Sequence, residues 1–554
     1  MGTLLSTIGV PFEFALPPSP RGRVQYAPTT QLDGTPYLEL IAGNLPVGTM
    51  TTPTIVALPD LPTGFPALAS DSVGRGLVPR RPGTALTPTL SQTEREQAIA
   101  VQHPTPNTQH PTHHSSLDSV FAVLARSEEY TVTTRDQYER FSWAHTTAQP
   151  AEAAVRPLVS EYAQRLLATI KETAAQAGLP LIRKEIWPHA KPMAACLTHD
   201  VDAIRRGKLP RGVAGRDVRA AICTAMRGRL GQAAGQAVAI ARTASGSNPY
   251  WTFDRIAAME REHGFRSTYF VMAGPLHPQD APYEPSDPKV AGLIHTLADS
   301  GCEIALHGSF ASYTDAESLK VQKARLEAVL GAKVSGHRNH VLRLRVPDSW
   351  RVHQAAGFSY DATLGFADHE GYRGGCAFPF HPYDTETDQP LDLLEIPLAV
   401  MDVTIHKYRG LRGGNAWQAV AAVLEQTMAV NGLATLLWHN DTLYEPDFPG
   451  CGRLYEAALD WLAARDAWVA TCADVDRWWR ARDKVRLLPL QGEKIGWEME
   501  TGDAIDGLVL RLSLHDPRAA PRVSSPNARV RRDSPDYLLE FGSLCAGSRV
   551  EIRC

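Results

Sequence analysis

The sequence predicts an α/β protein in which helices surround a parallel sheet, and two observations lead to this prediction. From residue 193 onward, short apolar runs alternate with amphipathic segments, which is the pattern of repeated βα units. Turn and stop signals separate these segments: a helix begins at Asp287-Pro288 and ends at Gly301, and the apolar run 304–306 follows at once. Several such units in series favour a barrel or an open doubly wound sheet.

The same signals place the other elements along the chain. Helical spacing runs up to a glycine in four further segments, residues 152–178, 318–331, 348–357 and 416–432. Nearer the N-terminus, short apolar runs at 37–41 and 54–58 suit strands between turns. Near the C-terminus, Leu508, Leu510, Leu512 and Leu514 alternate with other residues, which is typical of a strand.

These elements predict three regions. Residues 1–150 form an N-terminal mixed α/β region with a Pro-, Thr- and His-rich linker, residues 151–484 form the barrel or sheet, and residues 485–554 form a small β module. For the linker histidines His103, His110, His113 and His114, a solvated segment explains the pattern better than a metal site. The β module contains few aromatic residues, which favours packing against the main domain over sugar binding.

Composition excludes some classes of function. The 554 residues include 56 Lys and Arg against 60 Asp and Glu, a net charge of -4, which excludes a globally basic nucleic-acid-binding protein. No apolar run approaches the roughly 18 residues of a membrane-spanning helix, and the N-terminus lacks the pattern of a signal peptide. The 8 cysteines are scattered, as expected of reduced thiols. A cytoplasmic location is therefore expected, while the oligomeric state stays open.

Polar side chains follow five of the predicted strands. In chain order they are Asp200 and Asp202, then His307, then His337, Arg338 and His340, then Asp361, and finally His439. Functional groups of parallel α/β proteins gather at the carboxyl ends of their strands. Together these residues supply what a hydrolytic metal site needs, namely carboxylate and imidazole ligands, a base, a cation and an acid.

The motifs around these residues also resemble a known family. Five segments within residues 191–482 are similar, in the same order, to the five motifs of the NodB-homology polysaccharide deacetylases, carbohydrate esterase family 4. These segments are LTHDVD, EIALHGS, GHRNH, FSYD and LLWHND. The resemblance implies a deformed (β/α) barrel. It also implies metal-dependent removal of an acetyl group from a carbohydrate. The expected cofactor is a divalent ion, zinc first, with cobalt, nickel or manganese as alternatives.

The resemblance assigns a role to each matching residue. Asp200 would be the base, and Arg338 would hold its carboxylate ionised and aligned. His439 would protonate the leaving amine, with Asp361 as the carboxylate that keeps its imidazole charged. Asp202 and His307 would bind the metal ion.

Two departures from the family pattern concern the metal. Val201 stands where the family has a second adjacent Asp, which leaves open whether Asp200 or Asp202 is the base. Ala311 stands where the family has a second His; His337 or His340 is available as a substitute ligand, and we favour His340. The alternative is a site that has lost its metal.

Two further features bear on partners. Tyr372, in an aromatic-rich stretch, and Trp438 are the candidates for sugar binding, although a packed loop would explain the stretch equally well. Between residues 203 and 250, nine basic residues face one acidic residue, Asp217. We favour a solvated helical surface there, and contact with an anionic glycan, a lipid phosphate or a membrane surface is the alternative.

The leading hypothesis is therefore a metal-dependent hydrolase that deacetylates a carbohydrate or another small acetylated substrate. A second hypothesis keeps the site but changes the substrate to a non-carbohydrate amide. A third is a catalytically inactive carbohydrate-binding or scaffold protein, which Val201 and Ala311 suggest.

Overall fold

The computed structural model describes residues 37–40, 54–57, 116–146, 152–205, 211–244, 248–490, 495–516 and 518–554. The four linker histidines lie outside these residues. The short strands Tyr37–Leu40 and Thr54–Ala57 pair antiparallel. No helix in the described part of the chain is long and apolar enough to cross a membrane.

A nine-stranded sheet forms the centre of the molecule, and all of its strand pairs are parallel. Its strands are Ala194–Asp200, Thr268–Met272, Glu303–Gly308, Gly336–Asn339, Tyr360–Asp361, Leu394–Glu395, Leu398–Met401, Leu433–Leu437 and Trp468–Ala470. Most of their residues are buried on both faces, as expected of a parallel sheet covered by helices.

The two edges of this sheet lie close together. Strand Leu394–Glu395 is at one end of the strand order and strand Leu398–Met401 is at the other. The chain passes from Glu395 to Leu398 in three peptide steps, at most about 11 Å. The Leu398 N–H also donates to the carbonyl of Leu364, just after the strand Tyr360–Asp361. The sheet therefore curls into an irregular barrel, and the predicted α/β barrel fold is confirmed.

Helices cover the outside of the barrel. They are Phe253–Glu262, Pro288–Asp299, Ala316–Leu330, Asp348–Ala355, Gly413–Ala429, Cys451–Ala464 and Cys472–Asp483. The sequence signals explain their ends: the Asp315 side chain caps the third of these helices, and Gly331, at a φ of 73°, ends it. A helical hairpin, Arg211–Met226 and Leu230–Ala244, interrupts the barrel after its first strand.

The C-terminal region forms two four-stranded antiparallel sheets. One contains Val485–Pro489, Gly496–Thr501, Arg522–Val523 and Arg549–Arg553, and the other contains Val509–Ser513, Ala528–Asp533, Asp536–Phe541 and Leu181–Lys184. The last of these strands precedes the barrel in the chain, so the β module takes one strand from the segment that leads into the barrel.

The segment before the barrel packs against it. Its helices are Ser116–Leu124, Glu128–Thr131, Glu152–Val155 and Leu158–Gln176. Buried Glu129 forms hydrogen bonds with Arg126 at 2.8 Å and with the barrel residue Arg373 at 2.9 Å. Arg140 and Arg343 make further contacts between this segment and the loop after strand Gly336–Asn339.

Candidate active site

The polar residues expected at strand ends lie at the carboxyl edge of the barrel. Asp200 ends the first strand, and the pairing register sets His307 beside Arg338 on neighbouring strands. This common edge brings Asp200, Asp202, His307, Arg338 and His340 together although up to 140 residues separate them in the chain.

Asp202, His307 and His340 form a group that can hold a metal ion. Nε2 of His307 lies 3.1 Å from Oδ1 of Asp202, and Nε2 of His340 lies 3.6 Å from Oδ2 of Asp202. Nδ1 of His307 donates to the Arg338 carbonyl at 2.9 Å, which leaves a lone pair on Nε2. Neither this Nε2 nor Oδ1 of Asp202 has a hydrogen-bond partner among the described residues. Two facing lone pairs need a cation between them, so the group fits a divalent ion.

A second carboxylate supports His340. Nδ1 of His340 lies 3.5 Å from Oδ1 of Asp280, which itself accepts hydrogen bonds from Ser309 and Phe310. Burial opposes a charge on His340, but Asp202 and Asp280 together raise its pKa to about 9. No sequence signal marks Asp280, because it lies in an irregular loop between a strand and a helix.

Arg338 orients Asp200. Its Nη1 donates to Oδ1 of Asp200 at 2.9 Å and to the hydroxyl of Thr198 at the same distance. Its Nε donates to the Ala362 carbonyl, and the ring of Phe270 lies 4.2 Å from the guanidinium carbon. The guanidinium is fully buried, so its position and that of the carboxylate are fixed together.

The partner of His439 is Asp402, and the expectation of Asp361 was wrong. Nδ1 of His439 donates to Oδ1 of Asp402 at 2.8 Å, and Nε2 lies 3.6 Å from Oδ2 of Asp202. Burial disfavours the charged imidazole, but Asp402 raises the pKa of His439 to about 10. A signal for Asp402 was present: it follows the apolar strand Leu398–Met401 directly, which places it at the same carboxyl edge of the sheet as the other site residues.

Asp361 belongs to a separate buried group. Its Oδ1 accepts from Nδ1 of His337 at 2.8 Å and from the Thr363 hydroxyl, and Nδ1 of His353 lies 3.3 Å away. All three members of the group Asp361, His337 and His353 are fully buried. His337, the alternative replacement ligand, is therefore engaged away from Asp202, whereas His340 is beside it.

The two aromatic residues expected to bind substrate are core residues. Tyr372 is 3% exposed, and its hydroxyl donates to the Leu433 carbonyl. Trp438 has no exposed surface, and its Nε1 donates to the Cys451 carbonyl. Their polar atoms are satisfied inside the protein, so the expectation that they contact sugar was wrong.

A cleft of about 200 Å³ opens onto the site. Asp200, Asp202 and His439 line it together with Arg140, Val341, Leu342, Met401, Val403, Lys407, Tyr408, Asp441, Thr442 and Phe448. Arg140 comes from the segment before the barrel, which sequence analysis did not connect to the site. Burial raises the pKa of Asp441 in this cleft to about 6.

Comparison with known proteins gives limited matches. A family of unknown function, DUF7033, matches residues 92–175, which include Arg140 and span the predicted boundary at residue 150. No curated protein matches. Among solved structures, a Mycobacterium smegmatis protein assigned as a polysaccharide deacetylase is 20% identical, with 54% of this chain and 93% of that chain covered and a TM-score of 0.35.

Two other solved structures show similar partial likeness. The Puue allantoinase is 15% identical over 53% of this chain and 92% of its own, with a TM-score of 0.35. A CE4 family pseudoenzyme from Bacillus anthracis is 10% identical over 52% of this chain and 66% of its own, with a TM-score of 0.26. Function must therefore be argued from the geometry of the site.

Proposed function

We propose that this protein is a metal-dependent hydrolase that removes an acetyl group from a carbohydrate, in the manner of the polysaccharide deacetylases whose motifs it resembles. One observation carries the proposal. The unpartnered ligand atoms of Asp202 and His307 lie beside His340, and Asp202 lines a cleft together with Asp200 and His439. One metal ligand, the base and the acid therefore line one cleft, and the two imidazole ligands lie next to Asp202.

Each residue has a distinct part in this reaction. Asp202, His307 and His340 hold the ion, which when bound supplies Lewis-acid activation of water and of the acyl oxygen. Asp200 takes the proton from the attacking water while Arg338 keeps its carboxylate in place. His439 gives a proton to the departing amine, and Asp402 stabilises the imidazolium that makes this donation available.

The ligand set favours zinc among divalent ions. Two imidazoles and one carboxylate are typical of catalytic zinc sites, which keep a further position for water. Cobalt, nickel and manganese suit the same donors and remain the alternatives.

Bound metal is the first test. Elemental mass spectrometry on untagged protein should find one equivalent of metal that is lost in His307→Ala and in His340→Ala. His295→Ala changes an exposed imidazole on a barrel helix and should leave the metal in place. Metal-free wild type, or full retention in His307→Ala, would contradict the proposal.

Acetate release is the second test. N-acetylated sugars and chitooligosaccharides should yield acetate, and Asp200→Asn and His439→Ala should each reduce kcat by about 10²-fold or more. Turnover of linear or cyclic amides without acetate release would instead indicate the non-carbohydrate amidohydrolase. Sugar binding without turnover by either form would indicate the inactive binding protein.

A further inference from the structure

A second and larger cavity lies beside the active-site cleft. Its volume is about 520 Å³, and it is lined by Ile405, His406, residues 411–417 and residues 449–457, with Arg229 from the helical hairpin. This volume is enough for a small-molecule ligand. None of the residues that line it belongs to the catalytic group.

The cavity is strongly basic. Arg229, Arg412 and Arg453 line it. Arg453 lies 3.7 Å from Glu445, but in the described ranges neither Arg229 nor Arg412 forms an ion pair with a carboxylate. The cavity therefore has an excess of about two positive charges without a protein counterion.

His406 supplies an unpartnered donor in the same wall. Its Nδ1 accepts from Nη2 of Arg412 at 3.2 Å, so the proton of the neutral imidazole is on Nε2. Burial and the charge of Arg412 lower the pKa of His406 to about 4, which keeps the ring neutral at pH 7. The side chain is only 8% exposed, and Nε2 has no hydrogen-bond partner within the described part of the chain. A buried N–H of this kind is normally paired with protein, water or a ligand atom.

Two long helices also begin at this cavity. Gly413–Ala429 starts beside Arg412, and Cys451–Ala464 starts after Gly450. Among the described residues, neither N-cap residue caps its helix with its own side chain, although Glu445 accepts from the Gly450 N–H, and the first N–H groups of a helix have no partner within it. The positive ends of both helix dipoles add to the arginine charges. Trp417 provides an aromatic surface in the same cavity.

We propose that this cavity binds the phosphate group of a phosphate monoester. Arginine side chains and helix N-termini are the groups that hold phosphate in proteins. A phosphate monoester carries about 1.5 to 2 negative charges at neutral pH, which matches the uncompensated charge of Arg229 and Arg412. A carboxylate ligand would neutralise only half of this arginine charge.

The phosphate site and the cleft share a wall. Ile405 and His406 face the cavity, whereas Lys407 and Tyr408 face the cleft. The binding inference itself does not depend on the proposed hydrolysis.

The phosphate has two sources to be distinguished. Large apolar side chains are exposed on the hairpin next to Arg229, with Ile222 at 52%, Met226 at 82% and Leu230 at 69%. Such a surface suits a lipid whose headgroup phosphate enters the cavity, while the cavity alone suits a free phosphate ester.

Calorimetric titration of the full chain tests the proposal, with phenyl phosphate and inorganic phosphate as probes. Phenyl phosphate should bind saturably with a Kd of about 1 mM or tighter. Arg412→Gln should weaken binding about tenfold or more and Arg229→Gln about threefold or more. Arg261→Gln, on an exposed helix face outside the cavity, should leave it unchanged. Arg412 also donates a hydrogen bond to the His406 carbonyl, so Arg412→Gln could disturb the fold. In that case Arg229→Gln tests the proposal alone.

Cosedimentation with vesicles separates the two sources. A lipid headgroup is supported as the source of the phosphate if the protein binds phosphatidylcholine vesicles only when phosphatidic acid is added and Arg229 is present. Phenyl phosphate binding without vesicle binding supports a soluble ester. No saturable binding of any probe up to about 10 mM, or binding unaffected by both glutamine variants, overturns the proposal. Metal content, measured in the same samples, reports separately on the catalytic site.

Discussion

Asp402 accepts two hydrogen bonds from His439, one from Nδ1 at 2.8 Å and one from the backbone N–H at 2.7 Å. The hydroxyl of Thr442 donates to the same carboxylate at 2.6 Å. Both ring orientation and charge of His439 thus depend on one buried carboxylate, which has no exposed surface.

Replacing this carboxylate should disable the acid. We expect Asp402→Asn to keep the metal but to reduce kcat by about 10²- to 10⁴-fold, because the amide no longer stabilises the imidazolium. Steady-state acetate release with metal analysis checks this. Asp392→Asn, which changes a side chain that is 89% exposed, is the matched control. Wild-type turnover in Asp402→Asn would contradict the assignment of His439 as the acid.

Arg140 should support metal binding from outside the barrel. Its Nη1 donates to the Val341 carbonyl at 3.0 Å, and Val341 has a left-handed φ of 53° in the turn that follows His340. A β-branched residue is strained there, so the turn needs this contact. We expect Arg140→Ala to weaken metal affinity by about 10- to 100-fold, as loss of outer-shell support does elsewhere.

Competition with a chelator measures that affinity. Arg135→Ala changes the same segment, but the Arg135 hydrogen bonds run to residues 129–134, so its metal affinity should stay at the wild-type value. Equal affinities in both variants would show that the turn holds His340 unaided.

Glu129 should be important for stability. It lies buried between Arg126 and Arg373, and although burial opposes its charge, the two arginines lower its pKa. Glu129→Gln leaves the buried guanidinium of Arg373 without its carboxylate partner, while Arg126 keeps its ion pair with Glu128, and should reduce the free energy of unfolding by about 3–5 kcal/mol. Urea denaturation at pH 7 is the measurement, with exposed Glu172→Gln as control. If the free energy of unfolding fell less in Glu129→Gln than in Glu172→Gln, the side chains around position 129 would have rearranged to compensate.

His337 should make stability depend on pH. Burial, and then the charge of His353, lower its pKa to about 4 in the folded protein, against about 6.5 in the unfolded chain. The unfolded state therefore binds more protons between pH 6.5 and 4, and this group destabilises the fold as the pH falls through that window. In denaturation experiments from pH 7.5 to 4.5, the free energy of unfolding should fall less steeply for His337→Asn than for wild type. If the free energy of unfolding of the two proteins changed with pH in parallel, His337 would not be the source of this pH dependence.

Sequence predicted the barrel well because its signals are local. Apolar runs, glycine stops such as Gly331 and the polar residue after each strand all reflect one strand or one helix at a time. The grouping of Asp202, His307 and His340 followed, since parallel strands end at one edge.

The errors arose where geometry depends on distant contacts. Asp361 ends one strand and Asp402 directly follows another, and only the order of strands in the sheet decides which one meets His439. Tyr372 and Trp438 look like sugar-binding residues in sequence, but tertiary packing buries them. Arg140 reaches the cleft from a segment more than 200 residues from the turn that it contacts.

The strand Leu181–Lys184 has a consequence for synthesis on the ribosome. Its partner strand Val509–Ser513 lies far along the chain, and Arg511 bonds Glu185 across 326 residues. At roughly 5–20 residues per second, translation of the intervening chain takes roughly 15 to 65 seconds. During that time the backbone N–H and carbonyl groups of residues 181–184 have no strand to pair with. We therefore expect ribosome-bound intermediates to have an exposed β edge, which is a binding site for chaperones until the last sheet closes.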